Sequence, residues 1–232
     1  MKINPIARKQ TTLAEMAYEQ IYNSIIKLVF LPGQMIYETE VAEMLQVSRT
    51  PVREAIMLLK SQGMVDILPQ KGIRVSLISR KRLQNSSFVR ISLEKSALDE
   101  LLERWDPDSP VFQALAAQAR AEIEKQQAAL DAQDGFAFLK ADAKFHKVLI
   151  QVLQNEILNE MYKSVCDYLD RARYLEVMED SHRIKVIKLH GELLEAILQK
   201  DKARMNEAFL KHANRCQVDP LLLDKFADYF TE

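Results

Sequence analysis

The sequence predicts a mainly α protein in two parts, three short helices closed by a β-hairpin and then an all-α bundle of six or seven helices. Three observations carry this. The 232 residues exceed one average domain and suit two. Only five glycines, with 48% hydrophobic and 28% charged residues, describe a helix-rich globular chain. Finally, hydrophobic spacing is helical almost throughout, with one period-two stretch ahead of Ser79.

In residues 12–30 the apolar positions Ala17, Ile21, Ile25 and Leu28 recur at helical spacing up to the breaker Leu31-Pro32-Gly33. A second helix starts after Thr39, an acceptable N-cap, and buries Val41, Ala42 and Leu45 before a turn at Gln46-Val47. A third opens at Ser48-Arg49-Thr50-Pro51, where a proline in the first turn costs no hydrogen bond, and stops at Gly63 with Val52, Ala55, Ile56 and Leu59 inward. Met64 to Leu68 and Ile73 to Leu77 read as two strands joined by Pro69-Gln70-Lys71-Gly72. This order is that of a winged helix-turn-helix, placed at residues 1–78. Residues 79–232 read as helices, with breaks near Trp105 to Pro110, Asp134-Gly135, Asn155, Glu179 to Ser181, Lys200-Asp201 and Val218 to Pro220. A short hinge is expected near Ser79-Arg80-Lys81-Arg82.

No apolar run approaches the roughly 20 residues of a membrane span, and MKINPIARKQ lacks the apolar core of a signal peptide, so a cytoplasmic location without membrane partners is expected. Cys166 and Cys216 are then expected to be free thiols. The net charge of −1 divides unevenly: residues 1–78 carry nine Lys and Arg against seven Asp and Glu, and the remainder is acidic on balance. Local placement of the cations therefore decides whether the chain meets nucleic acid.

On the third helix Arg49, Arg53 and Lys60 lie opposite the apolar face. Guanidinium groups one turn apart suit the major groove, where arginine bonds guanine O6 and N7, while Ser48 and Thr50 suit phosphates at the helix N-terminus. Lys71 beside Gly72 makes a slim basic hairpin tip for the minor groove. Pairing of Arg49 and Arg53 with Glu54 or Glu43 on a solvated face is the competing reading of the same spacing. The stretch from Gly33 to Val75, and VSRTPVREAI above all, resembles the DNA-binding domain of the GntR family of bacterial regulators. The resemblance implies operator contacts for Arg49, Thr50 and Arg53 and a minor-groove contact for Lys71. Two departures stand out: Gln46 occupies a turn position where the family often has glycine, and Thr39 stands where some members have a DNA-contacting arginine.

Three histidines and an aspartate fall on inward faces of the later helices. Asp142 and His146 are one turn apart within Phe138, Phe145, Leu149 and Val152; His190 is in register with Val186, Leu193 and Ile197; His212 follows Met205 and Phe209. Each alone suits a satisfied core residue. Together they would be costly to bury without a shared partner, and one divalent cation satisfies all four; the donor set suits Zn, Ni, Mn or Fe. DAKFH, HGELLEAI and KHANR resemble elements of the FCD domain, the effector-binding bundle of the FadR subfamily of GntR regulators. This implies a metal at Asp142, His146, His190 and His212 that helps bind a small organic acid. Arg90, four residues before Glu94, is either a contact for that acid's carboxylate or half of a structural ion pair, with Arg171 and Arg173 as further candidates. His182 is expected to meet solvent.

The expected function is a DNA-binding regulator, a repressor acting as a homodimer on a near-palindromic operator and controlled by a small carboxylate. A metal-responsive or structurally metallated regulator without an organic effector is the alternative. A helical metalloenzyme is the remote one, since no general base, nucleophile motif or phosphate-cradling loop accompanies the cluster.

Overall fold

The computed structural model describes residues 11–213 and 220–232. The chain divides into two compact units, residues 1–77 and 78–232.

In the first unit, α1 (Leu13–Ile26) starts from a capping box in which the Thr12 hydroxyl accepts from the Glu15 backbone and the Glu15 carboxylate accepts from Thr12 N–H. The helix ends earlier than its apolar spacing suggests. Leu28 adopts a left-handed φ of 58°, and Val29 N–H donates back to Ser24 O at 2.9 Å, a Schellman closure that takes Leu28 out of the helical register. Strand β1 (Met35–Ile36), unforeseen because two residues carry no periodicity, leads into α2 (Glu38–Leu45). The N-cap of α2 is Tyr37 rather than Thr39: the chain leaves β1 extended through Tyr37, and Glu38 and Glu40 supply the acidic first turn that offsets the helix dipole. Gln46 closes α2 at φ 54°, ψ 41°, the left-handed turn anticipated at that position, and leads to α3 (Arg49–Ser61).

Helix α3 buries Val52, Ala55, Ile56 and Leu59 completely. Its end is tied to α1 where the Tyr18 hydroxyl donates to Gln62 Oε1 at 2.9 Å. Strands β2 (Val65–Leu68) and β3 (Gly72–Val75) form the expected hairpin, with Leu68 opposite Gly72, and β1 joins on the far side of β3 to give an antiparallel sheet in the order β1-β3-β2.

The second unit contains seven helices among the described residues: α4 (Arg80–Arg104), α5 (Pro110–Asp131), α6 (Gly135–Gln151), α7 (Glu156–Glu176), α8 (Asp180–Leu198), α9 (Lys202–Ala213) and α10 (Pro220–Lys225). Side-chain caps from Ser79, Asp134 and Asn155 satisfy the first amides of α4, α6 and α7. The expected breaks fall between these helices, except that 218–219 lie outside the described residues. The helical bundle carries one small addition: β4 (Ile78–Ser79) pairs in parallel with β5 (Phe230–Thr231), and the short hinge expected at Ser79 to Arg82 is the end of this strand followed by the first turn of α4. Ser79 N–H also donates to the Tyr168 hydroxyl at 2.9 Å, and the Arg82 guanidinium lies 3.9 Å from the centre of the Tyr168 ring.

The main core of this unit draws Leu98 and Leu101 from α4, Trp105 from the C-cap that follows it, Leu115 and Ala119 from α5, Phe145 and Leu149 from α6, Leu193 and Ile197 from α8, and Met205 and Phe209 from α9. Cys166, buried on α7 in a smaller cluster with Ala97, Ile150 and Tyr162, is a free thiol whose pKa burial pushes up to about 12. Cys216 lies outside the described residues.

Gly72 is held at φ +113°, and a Cβ there would meet the Tyr37 ring at 2.9 Å. Replacing Gly72 with alanine is expected to destabilise the first unit by about 1–3 kcal/mol, read as a lower urea midpoint for that unit. An unchanged midpoint would mean that the hairpin relaxes without loss.

Candidate metal centre and nucleic-acid interface

Helix α6 carries Asp142 and His146 one turn apart, α8 carries His190 and α9 carries His212. The structure brings these four together: one ligand atom from each lies within 4.8 Å of all the others, and each side chain is buried. His212 Nε2 and His146 Nε2 face each other at 3.0 Å, and His190 Nε2 is 3.6 Å from Asp142 Oδ1.

A surrounding layer orients these groups. His190 Nδ1 meets Gln126 Oε1 of α5 at 2.9 Å; a carbonyl oxygen only accepts, so Nδ1 carries the proton and Nε2 presents its lone pair to the cluster. The buried His190 Nε2 has no hydrogen-bond partner. His146 Nδ1 is 3.4 Å from Glu94 Oε1, which directs His146 Nε2 inward in the same way. Glu94 also accepts from Arg90 Nε at 2.8 Å and from the Tyr162 hydroxyl. Arg90, at 1% exposure, thus forms the structural ion pair, reaching the cluster through Glu94 and His146, and it does not line the cavity beside the cluster. Arg173 of α7 forms ion pairs with Asp142 Oδ2 and, at 2.9 Å, with Asp170 Oδ1.

Burial sets the protonation states. It lowers the His146 pKa to about 4 despite the opposing pull of Glu94. Burial first, then the neighbouring imidazoles and the Arg173 and Arg90 charges, hold His190 and His212 well below the ordinary imidazole range. Burial alone would raise Glu94, but Arg90, His146 and Tyr162 override it and lower its pKa to about 2. The result is neutral imidazoles beside an ionised Glu94 at neutral pH, and a neutral imidazole is the state that metal binding requires of histidine. An inward lone pair without a partner, three neutral imidazoles and a carboxylate fit a divalent cation, with Asp142, His146, His190 and His212 as its ligands. Bound there, such an ion would act as a Lewis acid toward oxygen donors.

Beside Asp142 and His212 lies a cavity of about 20 Å³, lined also by Arg173, Glu176, Val177, His182 and Val186. His182, expected to meet solvent, is half-buried and lines this cavity. Sequence reasoning passed over Gln126 and Tyr162 and gave Glu94 only its pairing with Arg90. The signal for Gln126 was a polar residue at 119, 122, 126, 129 spacing within the buried stripe of α5.

In the first unit the N-terminus of α3 presents Ser48, Arg49, Thr50 and Arg53, all exposed. Arg49 lies 3.6 Å from Glu38, rather than pairing with Glu43 or Glu54, in an ion pair open enough to exchange for a phosphate or base edge. Lys71 is exposed at the hairpin tip, Gly72 is half-buried under Tyr37, and Thr39 is exposed on α2. The arrangement gives a helix N-terminus with two cations one turn apart and a separate basic hairpin tip, the elements of groove binding.

Comparison with known proteins matches residues 13–75 to the bacterial regulatory proteins of the gntR family and residues 87–215 to the FCD domain. The chain is 25% identical over 198 residues to the HTH-type transcriptional repressor RspR of Escherichia coli, covering 85% of this chain and 84% of that one. It is 38% identical over 134 residues to an uncharacterized HTH-type transcriptional regulator of Agrobacterium vitis, covering 58% and 77%. The fold resembles that of McbR/YncC of Escherichia coli with a TM-score of 0.77 at 20% identity, over 94% of this chain and all of the other. The FCD match spans more than half of the sequence and the gntR match takes in α3 and the hairpin, so the chain belongs to the GntR family of bacterial regulatory proteins, as a DNA-binding transcriptional regulator with an FCD domain.

Proposed function

We propose that this regulator is a repressor whose affinity for its operator is controlled by a small carboxylate bound at a divalent metal ion in the C-terminal unit. The observation that carries the reading is the convergence of Asp142, His146, His190 and His212, with His190 Nε2 buried and unpartnered and Nδ1 fixed by Gln126. Zn, Ni, Mn and Fe all suit the donor set. Repression is supported by relatives that carry the name, RspR and the NanR repressor of Salmonella.

In this reading residues 1–78 bind DNA, with Arg49 and Arg53 on base edges, Ser48, Thr50 and Thr39 at phosphates, and Lys71 with Gly72 at the minor groove. Residues 79–232 bind metal and effector and form a homodimer, because one reading helix covers a half-site and a symmetric pair matches a near-palindromic operator. The effector regulates only to the extent that it binds one dimer geometry better than another. The cavity volume favours a second reading, in which the metal is structural or is itself the signal. About 20 Å³ holds one water-sized occupant and no organic acid, so an effector requires this cavity to widen.

Arg53→Ala is expected to weaken operator binding by about 1–3 kcal/mol in fluorescence anisotropy, with helicity and oligomeric state unchanged; wild-type affinity would remove α3 as the reading helix. His190→Ala is expected to lower bound metal in elemental analysis, and full occupancy in that variant would contradict the four-ligand site. For the metal-free protein, His146 titrates near 4 when folded and near 6.5 when unfolded. The unfolded chain therefore binds more protons between these values, and stability falls as pH is lowered from about 6.5 towards 4. Thermal melting across that window should show the loss, and a flat profile would mean that the imidazoles are not held neutral by burial.

A further inference from the structure

Arg173 is the residue that places a full positive charge on a prospective metal ligand. It is 9% exposed, and its guanidinium spans two carboxylates, Asp142 through Nη2 and Asp170 through Nη1. Asp142 meanwhile turns its other oxygen to His190 Nε2. A carboxylate this deeply buried requires a compensating charge, and here the guanidinium supplies it. A divalent ion on the four-residue cluster would supply the same compensation to the same carboxylate. The two cations do not share Asp142 cheaply, because like charges a few ångströms apart in a dry interior repel strongly.

We propose that Arg173 is a displaceable stand-in for the metal: it neutralises Asp142 in the metal-free protein, and metal loading moves it off that carboxylate. The inference rests on the metal-site reading above. The surroundings favour such an exchange. Asp170, one turn earlier on α7, holds the guanidinium in both states, so its release leaves no unpaired buried charge. Glu176, buried one turn further along the same helix, lines the cavity next to the ion pair and offers the guanidinium a second carboxylate on the side away from the cluster. Metal loading then turns a positive charge toward the cavity that Asp142, His182 and His212 also line. The metal and the charge that would receive an anion become available together.

The test is zinc titration of the metal-free full chain against a chromophoric chelator. Arg173→Gln, with folding checked by circular dichroism, is expected to bind zinc about tenfold or more tightly than wild type, because the competitor for Asp142 is gone. A residue that merely orients Asp142 would give the opposite sign, weaker binding. Equal or weaker zinc binding by Arg173→Gln therefore overturns the proposal. Arg173→Lys keeps a cation but does not span both carboxylates; it is expected to bind zinc with an affinity between wild type and Arg173→Gln, and weaker binding than wild type overturns the proposal even if Arg173→Gln fails to fold. If wild type takes up no more zinc than Asp142→Ala, the four-residue site itself fails and the exchange falls with it. Zinc uptake by wild type with no gain in Arg173→Gln leaves the site standing and removes only the exchange.

Discussion

Polar groups buried inside an apolar bundle are the constraint around which the C-terminal unit is organised. His146, His190 and His212 sit among Phe145, Leu193 and Phe209, and the His190 ring stacks on Phe145 with centroids 4.2 Å apart. Water is excluded, so each ring nitrogen needs a partner supplied by a helix. Gln126 from α5 and Glu94 from α4 provide two of them, and Arg90 and Tyr162 in turn satisfy Glu94. Six helices, α4 to α9, are thus bound to one polar knot, which adds directional constraints on their register to those of apolar packing.

The first unit is built under the opposite condition. Its fully buried residues are apolar, and its polar groups of interest are exposed, at the N-terminus of α3 and at the hairpin tip. The core fixes the separation of these two basic elements while leaving their side chains free to meet a polyanion. Gly72 matters to that separation because the Tyr37 ring lies where a Cβ would be.

Much of this was legible in the sequence. The buried face of α3, the hairpin and the faces carrying Asp142, His146, His190 and His212 follow from spacing, since helical and strand periods report directly which side chains share a side. Helix ends were harder. Leu28 adopts a left-handed φ where glycine would have announced the stop, so α1 ends before its apolar pattern does. The small strands β1, β4 and β5 escape any periodic reading because each is two residues long. The partners of the cluster were legible only in part. Gln126 and Tyr162 matter through contacts 64 and 68 residues away in the chain, and no local pattern encodes those.

The parallel pairing of Ile78–Ser79 with Phe230–Thr231 means that the path through the C-terminal unit leaves and returns to one place. Whatever precedes Ile78 is attached beside the last strand. A unit whose entry and exit coincide is exchangeable as a block, because grafting it changes no distance elsewhere in the chain. The same adjacency makes the last residues a reporter of that closure: a probe attached near Thr231 would sit beside Ile78 and Ser79, where the C-terminal unit begins.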